Sequence, residues 1–273
     1  MTLSCNGKLI DLSSPKIMGI LNLTPDSFYD GGAYSDEKGI LIQVEKMLNE
    51  GATFLDVGAY SSRPGAAFIS LEEELSRIAP IIKLVIKEFP KAILSIDTFR
   101  SKVAEACLFE GAALINDISA GIQDKEMFKI ISKHGVPYIM MHMKGTPQNM
   151  AQNTHYDDLL MDILYYFSER IAKAREHHIN DIIVDPGFGF SKTLEQNYGL
   201  LQKMGLLQSL DLPILVGLSR KSMIYKVLGN TPQDALNGTT ALNMLALQQG
   251  ANILRVHDVA AAMECVKLNE HLI

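Results

Sequence analysis

Long apolar runs are missing from this chain of 273 residues. No stretch approaches the roughly 18 residues that a membrane-crossing helix needs. Residues 1–10 lack the basic start and apolar core of a secretory signal, so a soluble, cytoplasmic protein with no membrane partner is expected. Cysteine is scarce: Cys5, Cys107 and Cys265 are odd in number, far apart and never in a CxxC spacing. That argues against a disulfide framework and a thiolate zinc site. No HExxH, no His/Cys cluster and no dinucleotide GxGxxG follows a strand, which disfavours a zinc hydrolase and a nicotinamide enzyme. Positive charge is also short, with 25 Lys and Arg against 31 Asp and Glu and a net charge of -6. A broad nucleic-acid surface is therefore not expected. The same balance argues at first sight against an anionic substrate, but acids such as Glu72, Glu73 and Glu74 fall on an outer helix while several cations fall at strand ends. Linkers, charge blocks, low-complexity tracts and repeats are absent too, so one domain over residues 1–273 is expected.

What is present is an alternation of strands and helices. Gly51, Gly111, Gly135 and Gly250 each end a helical pattern just before an apolar run, as a left-handed residue past a helix would. The runs Ile17 to Leu21, Phe54 to Val57, Ala92 to Ile96, Leu114 to Asn116, Tyr138 to Met141, Ile182 to Val184, Ile214 to Gly217 and Ile253 to Val256 are nearly all apolar, as strands covered on both faces must be. Leu71, Leu75, Ile78, Ile82, Val85 and Phe89 mark one face of a helix, with Ser70 and Glu73 as a capping box at its start. Eight such units in this length favour a (β/α)8 TIM barrel, with an open doubly wound sheet as the alternative. Asn6-Gly7 predicts a hairpin within residues 1–14 that could plug the barrel's lower end. Long strand-to-helix loops, 22–36, 58–70 and 142–155, gather on the face where barrel enzymes keep their sites.

Polar residues recur at the C-terminal ends of the runs: Asn22, Asp56, Asp97, Asn116, His142, Asp185, Ser219 to Lys221, and Arg255 with His257. Asp97, Asn116, Asp185 and Lys221 combine carboxylates, an amide and a cation, a set suited to a flat heterocycle with ring nitrogens and an exocyclic amino group. An internal Asp97 to Lys221 ion pair bracing the barrel is the structural alternative, and both roles can coexist. Arg63, Arg255 and His257, with Ser61 and Ser62, suit phosphate oxygens. Asn22 opens a loop ending in Gly31-Gly32; as a neutral oxygen ligand it suits a hydrated Mg2+ whose charge is mostly matched by phosphates, or else it caps its own turn.

The segments Met18 to Gly32 (MGILNLTPDSFYDGG), Asp56 to Gly65 (DVGAYSSRPG), Ser95 to Thr98 (SIDT), Ile115 to Ile118 (INDI), Val184 to Phe190 (VDPGFGF), Ser219 to Ser222 (SRKS) and Arg255 to Asp258 (RVHD) resemble the dihydropteroate synthase family. The resemblance implies a barrel transferase of folate biosynthesis, targeted by sulfonamides. Such enzymes join 6-hydroxymethyl-7,8-dihydropterin diphosphate to 4-aminobenzoate with Mg2+. By the same resemblance, Asp97, Asn116, Asp185 and Lys221 bind pterin, with Met140 and Gly217 shaping the pocket and Arg255 stacking on it. Asn22, Ser62, Arg63, Arg255 and His257 contact diphosphate, and Asn22 is the metal ligand. Phe28, Pro64, Phe190, Lys221 and Ser222 surround aminobenzoate. Asp97, Asp185, Lys221 and Arg63 are the expected catalytic residues, and a homodimer is implied, for which Ala241, Leu242, Leu245 and Ala246 offer an apolar strip. The chain departs from the family's usual Glu-Ser-Thr-Arg-Pro-Gly at Tyr60 and Ser62. A corrinoid-dependent pterin methyltransferase would share the pterin acids but would not require Arg63, Arg255, His257 or the SRKS loop.

Overall fold

The computed structural model describes residues 1–23, 33–61 and 68–272, with the backbone alone at 33–36. Eight parallel strands run in the order β8-β7-β6-β5-β4-β3-β10-β9: β3 (Lys16–Asn22), β4 (Phe54–Gly58), β5 (Leu94–Asp97), β6 (Leu114–Asp117), β7 (Tyr138–Met141), β8 (Ile182–Asp185), β9 (Leu215–Val216) and β10 (Ile253–Val256). A parallel bridge between Val184 and Ile214 joins the two ends of this order. The result is the expected nearly closed barrel, with β9 shorter than the apolar run that foretold it.

The strands read as continuous apolar runs because their two faces meet two different cores. Leu21, Leu55, Val57, Ile96, Ile115, Val184, Val216 and Leu254 belong to the core shared with the surrounding helices. Met18, Phe54, Leu114, Ile139, Ile183, Leu215 and Ile253 alternate with them and fill the barrel's interior. Leu3, Cys5 and Leu12 join this inner cluster, so the hairpin of β1 (Thr2–Cys5) and β2 (Lys8–Asp11) plugs the lower end. Asn6 and Gly7 make its turn at φ 47° and 75°, the primed geometry that suits a two-residue hairpin.

The helices are α1 (Ala33–Asn49), α2 (Leu71–Glu88), α3 (Ser101–Phe109), α4 (Met127–His134), α5 (Leu159–Glu176), α6 (Leu194–Lys203), α7 (Ser222–Leu228), α8 (Leu236–Gln248) and α9 (Val259–Asn269). Gly51, Gly111, Gly135 and Gly250 all have positive φ, as their places past helix ends require. On α2, Ile78, Ile82 and Val85 are buried as the spacing predicts, and the Ser70 hydroxyl accepts from the Glu73 amide at 3.1 Å. Glu74 corrects the sequence reading that put it outside with Glu72 and Glu73. It is fully buried, because Thr98 donates to one carboxylate oxygen at 2.8 Å and Arg100 to the other at 2.6 Å. Among the described residues no helix is long and apolar enough to cross a membrane.

Candidate active site

The inner layer above the apolar plug is polar. Two residues past each inner apolar side chain, the pleat brings Asp56 after Phe54, Asn116 after Leu114, Asp185 after Ile183, Gly217 after Leu215 and Arg255 after Ile253 to the same side of the barrel. Strand register confirms it: Asp97 pairs with Asn116, Asp185 with Met141, and Asn22 with Gly58. Eight parallel strands thus bring these residues to one mouth.

Arg255 organises one half of that mouth. Its Nε donates to Asp56 Oδ2 at 2.5 Å and its Nη2 to Asp97 Oδ2 at 2.7 Å, while Asn116 Nδ2 donates to the same Asp56 oxygen at 2.9 Å. Burial outweighs the attraction of Arg255 and lifts Asp97 to a pKa of about 7. Asp56 Oδ1 is buried and has no hydrogen-bond partner among the described residues, an acceptor facing the site. Gly58 lets Asp97 stand this close to β4, since a Cβ there would lie 3.2 Å from Asp97 Cβ.

Asp185 and Lys221 form the other half. Asp185 accepts from the Gly187 amide at 2.7 Å, and burial raises its pKa against the opposing pull of the Lys221 ammonium. Lys221 donates to the Phe188 carbonyl, and its Nζ lies 4.8 Å from the centre of the Phe190 ring. Burial depresses its pKa to about 8. The absence of a side chain at Gly217 leaves room between Lys221 Nζ and Arg255 Cβ, each 3.9 Å from where a Cβ would stand. The alternative of an Asp97 to Lys221 brace gives way to Arg255, whose forked guanidinium reaches two carboxylates at once.

The turn carrying Lys221 is tied to the end of β10. Ser219 Oγ lies 2.9 Å from His257 Nδ1 and accepts from the His257 amide at 3.1 Å. Arg220, at φ 56°, binds Asp258 through Nε at 2.9 Å and Nη2 at 2.7 Å. Ser222 is exposed at the start of α7. Met140 does not join the mouth: strand alternation turns it into the core under the helices, and Met141, one residue on, packs with Ile118 and Met143 against Phe190. Phe28, Ser62, Arg63 and Pro64 lie outside the described residues.

The Tyr60 departure has a structural counterpart. Tyr60 is buried, edge-on to Phe99 at 5.2 Å and to Phe68 at 6.5 Å. The Arg100 guanidinium carbon lies 5.3 Å from the Tyr60 and Phe68 ring centres and 5.4 Å from that of Phe99. Arg100 also donates to the Ile69 carbonyl at 2.7 Å and the Ser70 carbonyl at 3.1 Å, and Gln148 donates to Tyr60 Oη at 2.7 Å. Residues before and after 62–67 are thus gathered on one cation, itself paired with buried Glu74.

Asn22, half-buried at the end of β3, offers a neutral oxygen donor, and no group of three His, Cys, Asp or Glu among the described residues could hold a metal. That donor chemistry fits a hydrated Mg2+ neutralised by a phosphorylated substrate rather than a metal caged by protein. Sequence reasoning named Asp56 at a strand end without assigning it to the site. Its shared parity with Asn116, Asp185 and Arg255 was the available signal. The buried Lys192 and its contact with His142 carried no signal in spacing.

The mouth thus holds buried acids and an amide, bridged by one arginine and faced by a lysine. The chain belongs to the pterin binding enzyme family, whose pattern matches residues 18–257. Within it, the chain stands among the dihydropteroate synthases. It is 40% identical over 272 residues to the Escherichia coli K12 dihydropteroate synthase, covering 99% of this chain and 96% of that one. The Yersinia pestis enzyme in a sulfonamide drug complex superimposes with a TM-score of 0.93 at 42% identity, covering 100% of this chain and 99% of that one. The Xanthomonas albilineans enzyme with 4-aminobenzoic acid gives 0.92 at 37%, covering 99% and 97%.

Proposed function

We infer that the mouth joins 6-hydroxymethyl-7,8-dihydropterin diphosphate to 4-aminobenzoate, releasing diphosphate and forming 7,8-dihydropteroate. The observation that carries the reading is the inward cluster of Asp56, Asp97, Asn116 and Arg255 facing Asp185 and Lys221. Asp185 accepts the amino-amidine edge of the pterin, Asp97 and Asn116 hold the ring at its other side, and Arg255 covers its face. Met141 takes the lining place that the family resemblance gave to Met140, and Gly217 leaves the ring its space.

The methylene C–O bond breaks first, with its electron pair leaving on diphosphate. Ser62, Arg63, Arg255 and His257 stabilise the growing negative charge, and Asp97 and Asp185 stabilise the cation spread over the dihydropterin. Asn22 would hold Mg2+ through its amide oxygen; when bound, the ion supplies further charge neutralisation to the diphosphate. The arylamine lone pair then forms the C–N bond and the nitrogen loses its proton, so no strong general base is required. Phe28, Pro64, Phe190, Lys221 and Ser222 bind aminobenzoate, with Lys221 or Ser222 on its carboxylate, and exclude water that would capture the cation. The same pocket makes the enzyme a sulfonamide target.

The enzyme works in the cytoplasm as one barrel domain, in keeping with three free, buried cysteines. Two copies pair through α8, where Leu245 is 41% exposed while Ala246 is buried. Substrate labelled with 18O in the bridging C–O–P position tests the order of steps. Scrambling of label into non-bridging positions without aminobenzoate is expected, and its absence contradicts a dissociative step. Asp185→Ala with unchanged pterin affinity and turnover removes that residue's role, and unaffected turnover after thorough Mg2+ removal removes the metal's.

A further inference from the structure

The turn between β8 and α6 is held by two lysines, only one of which the reaction uses. Lys221 takes the Phe188 carbonyl. From the other side, Lys192 Nζ donates to the Gly187 carbonyl at 3.0 Å and the Phe190 carbonyl at 3.0 Å, and lies 3.1 Å from His142 Nδ1. An ammonium has three N–H groups, and these three acceptors use them all. Opposite the ammonium form of Lys192, His142 presents a lone pair at Nδ1 and carries its proton on Nε2. Burial and the neighbouring Lys192 hold the His142 pKa well below its ordinary value, in accord with a neutral ring.

Lys192 is 8% exposed, and the neighbours that solvate it are neutral. A buried ammonium without a contacting carboxylate is costly, and burial lowers its pKa to about 7. A methionine would fill the space without that cost, so the hydrogen bonds are what the lysine contributes. The turn they grip has little slack. Gly187, at φ 71°, lies flush against His142, since a Cβ there would fall 2.1 Å from the His142 carbonyl oxygen. The Gly189 amide donates to Asn197 Oδ1 at 2.6 Å, and Tyr156 Oη donates to the Ser191 carbonyl at 2.8 Å.

We propose that Lys192 is a positioning residue of the aminobenzoate pocket: its ammonium, seated on His142, pins the Gly187–Phe190 turn and thereby sets the Phe190 ring and the carbonyl that orients Lys221. This rests on the assignment of Phe190 and Lys221 to that pocket. Asp185 touches the turn through the Gly187 amide on its carboxylate at 2.7 Å, but its backbone is held by β8 through the hydrogen bond from the His142 amide to the Asp185 carbonyl at 2.9 Å.

The test is a two-substrate comparison of Lys192→Met, which keeps the unbranched apolar stem and loses the donor atom, with Lys192→Gln, which keeps two donors. Misplacement of a binding group by about 1 Å can cost up to ~100-fold, so aminobenzoate KM should rise at least ~10-fold in Lys192→Met. Pterin diphosphate affinity, titrated without aminobenzoate, should fall by less than aminobenzoate KM rises, because Asp97, Asn116 and the backbone of Asp185 are held by strands rather than by the turn. Lys192→Gln should fall between wild type and Lys192→Met, and amide exchange at residues 187–190 should quicken in step. An unchanged aminobenzoate KM overturns the proposal, and so does an equal loss for both substrates. If Lys192→Met does not fold, His142→Leu, which removes one of the three acceptors, must show the same selective rise in aminobenzoate KM or the proposal falls. Phe190→Ala separates the two levels: an unchanged aminobenzoate KM there rejects the pocket assignment itself, whereas a raised KM beside a neutral Lys192→Met rejects only the positioning role.

Discussion

Arg255→Met isolates the electrostatic centre of the mouth. The substitution removes the cation that Asp56, fully buried, and Asp97 share, while both carboxylates stay in place. Breaking a buried ion pair by deleting one partner costs about 3–5 kcal/mol. The loss is less than two such pairs, because Asp97, already at about pKa 7 with Arg255 present, can take up a proton. Deleting Arg255 removes the attraction that lowers the Asp97 pKa, so the folded variant holds that proton more tightly than the folded wild type. The wild type's advantage is therefore present at high pH and shrinks as pH falls through the raised Asp97 value. Thermal unfolding followed by circular dichroism at pH 8 should show a Tm loss of roughly 6–20 °C, taking about 2–4 °C per kcal/mol for a large domain. At pH 5.5 the gap should be less than half as large. A gap independent of pH, or one below about 2 °C at pH 8, refutes the reasoning, because Asp97 would then not be relying on Arg255 for its charge.

Other outcomes follow from other parts of the structure. Tyr60→Phe loses only the hydrogen bond from Gln148 and should cost about 1 kcal/mol in urea unfolding, whereas Tyr60→Ala also empties the ring's place between Phe68 and Phe99 and should cost about 3 kcal/mol or more. Lys221, with a pKa of about 8, loses its charge as pH rises, so aminobenzoate KM should climb between pH 8 and 9.5, approaching tenfold per unit, and Lys221→Arg should flatten that rise. Leu3→Ala opens the hairpin plug and should lower stability by about 2–5 kcal/mol with kcat retained at temperatures where the variant is folded.

The barrel was legible because its strands are short apolar runs and its helix ends carry glycines whose positive φ the structure bears out at Gly51, Gly111, Gly135 and Gly250. The hairpin turn at Asn6-Gly7 was legible for the same local reason. Strand-end chemistry exposed Asp97, Asn116, Asp185 and Arg255, since polar groups interrupting such runs stand out. What spacing could not supply was partner choice. The guanidinium of Arg255 reaches across the barrel to Asp56 and Asp97, residues 199 and 158 positions away, and nothing local distinguishes it from Lys221 as their partner. Met140 and Met141 are alike in sequence, and only the phase of strand alternation separates the inner one from the outer. Glu74 sits in a run of three acids that looks solvated, and its burial depends on Thr98 and Arg100 from the following unit.

The central claim is that this mouth makes dihydropteroate. The most direct measurement is diphosphate release from the dihydropterin diphosphate substrate with and without 4-aminobenzoate, paired with mass detection of the product. The account predicts that aminobenzoate accelerates diphosphate release and that 7,8-dihydropteroate accumulates in equal amount. Pterin binding without aminobenzoate-dependent diphosphate release, or release with no dihydropteroate formed, would contradict it.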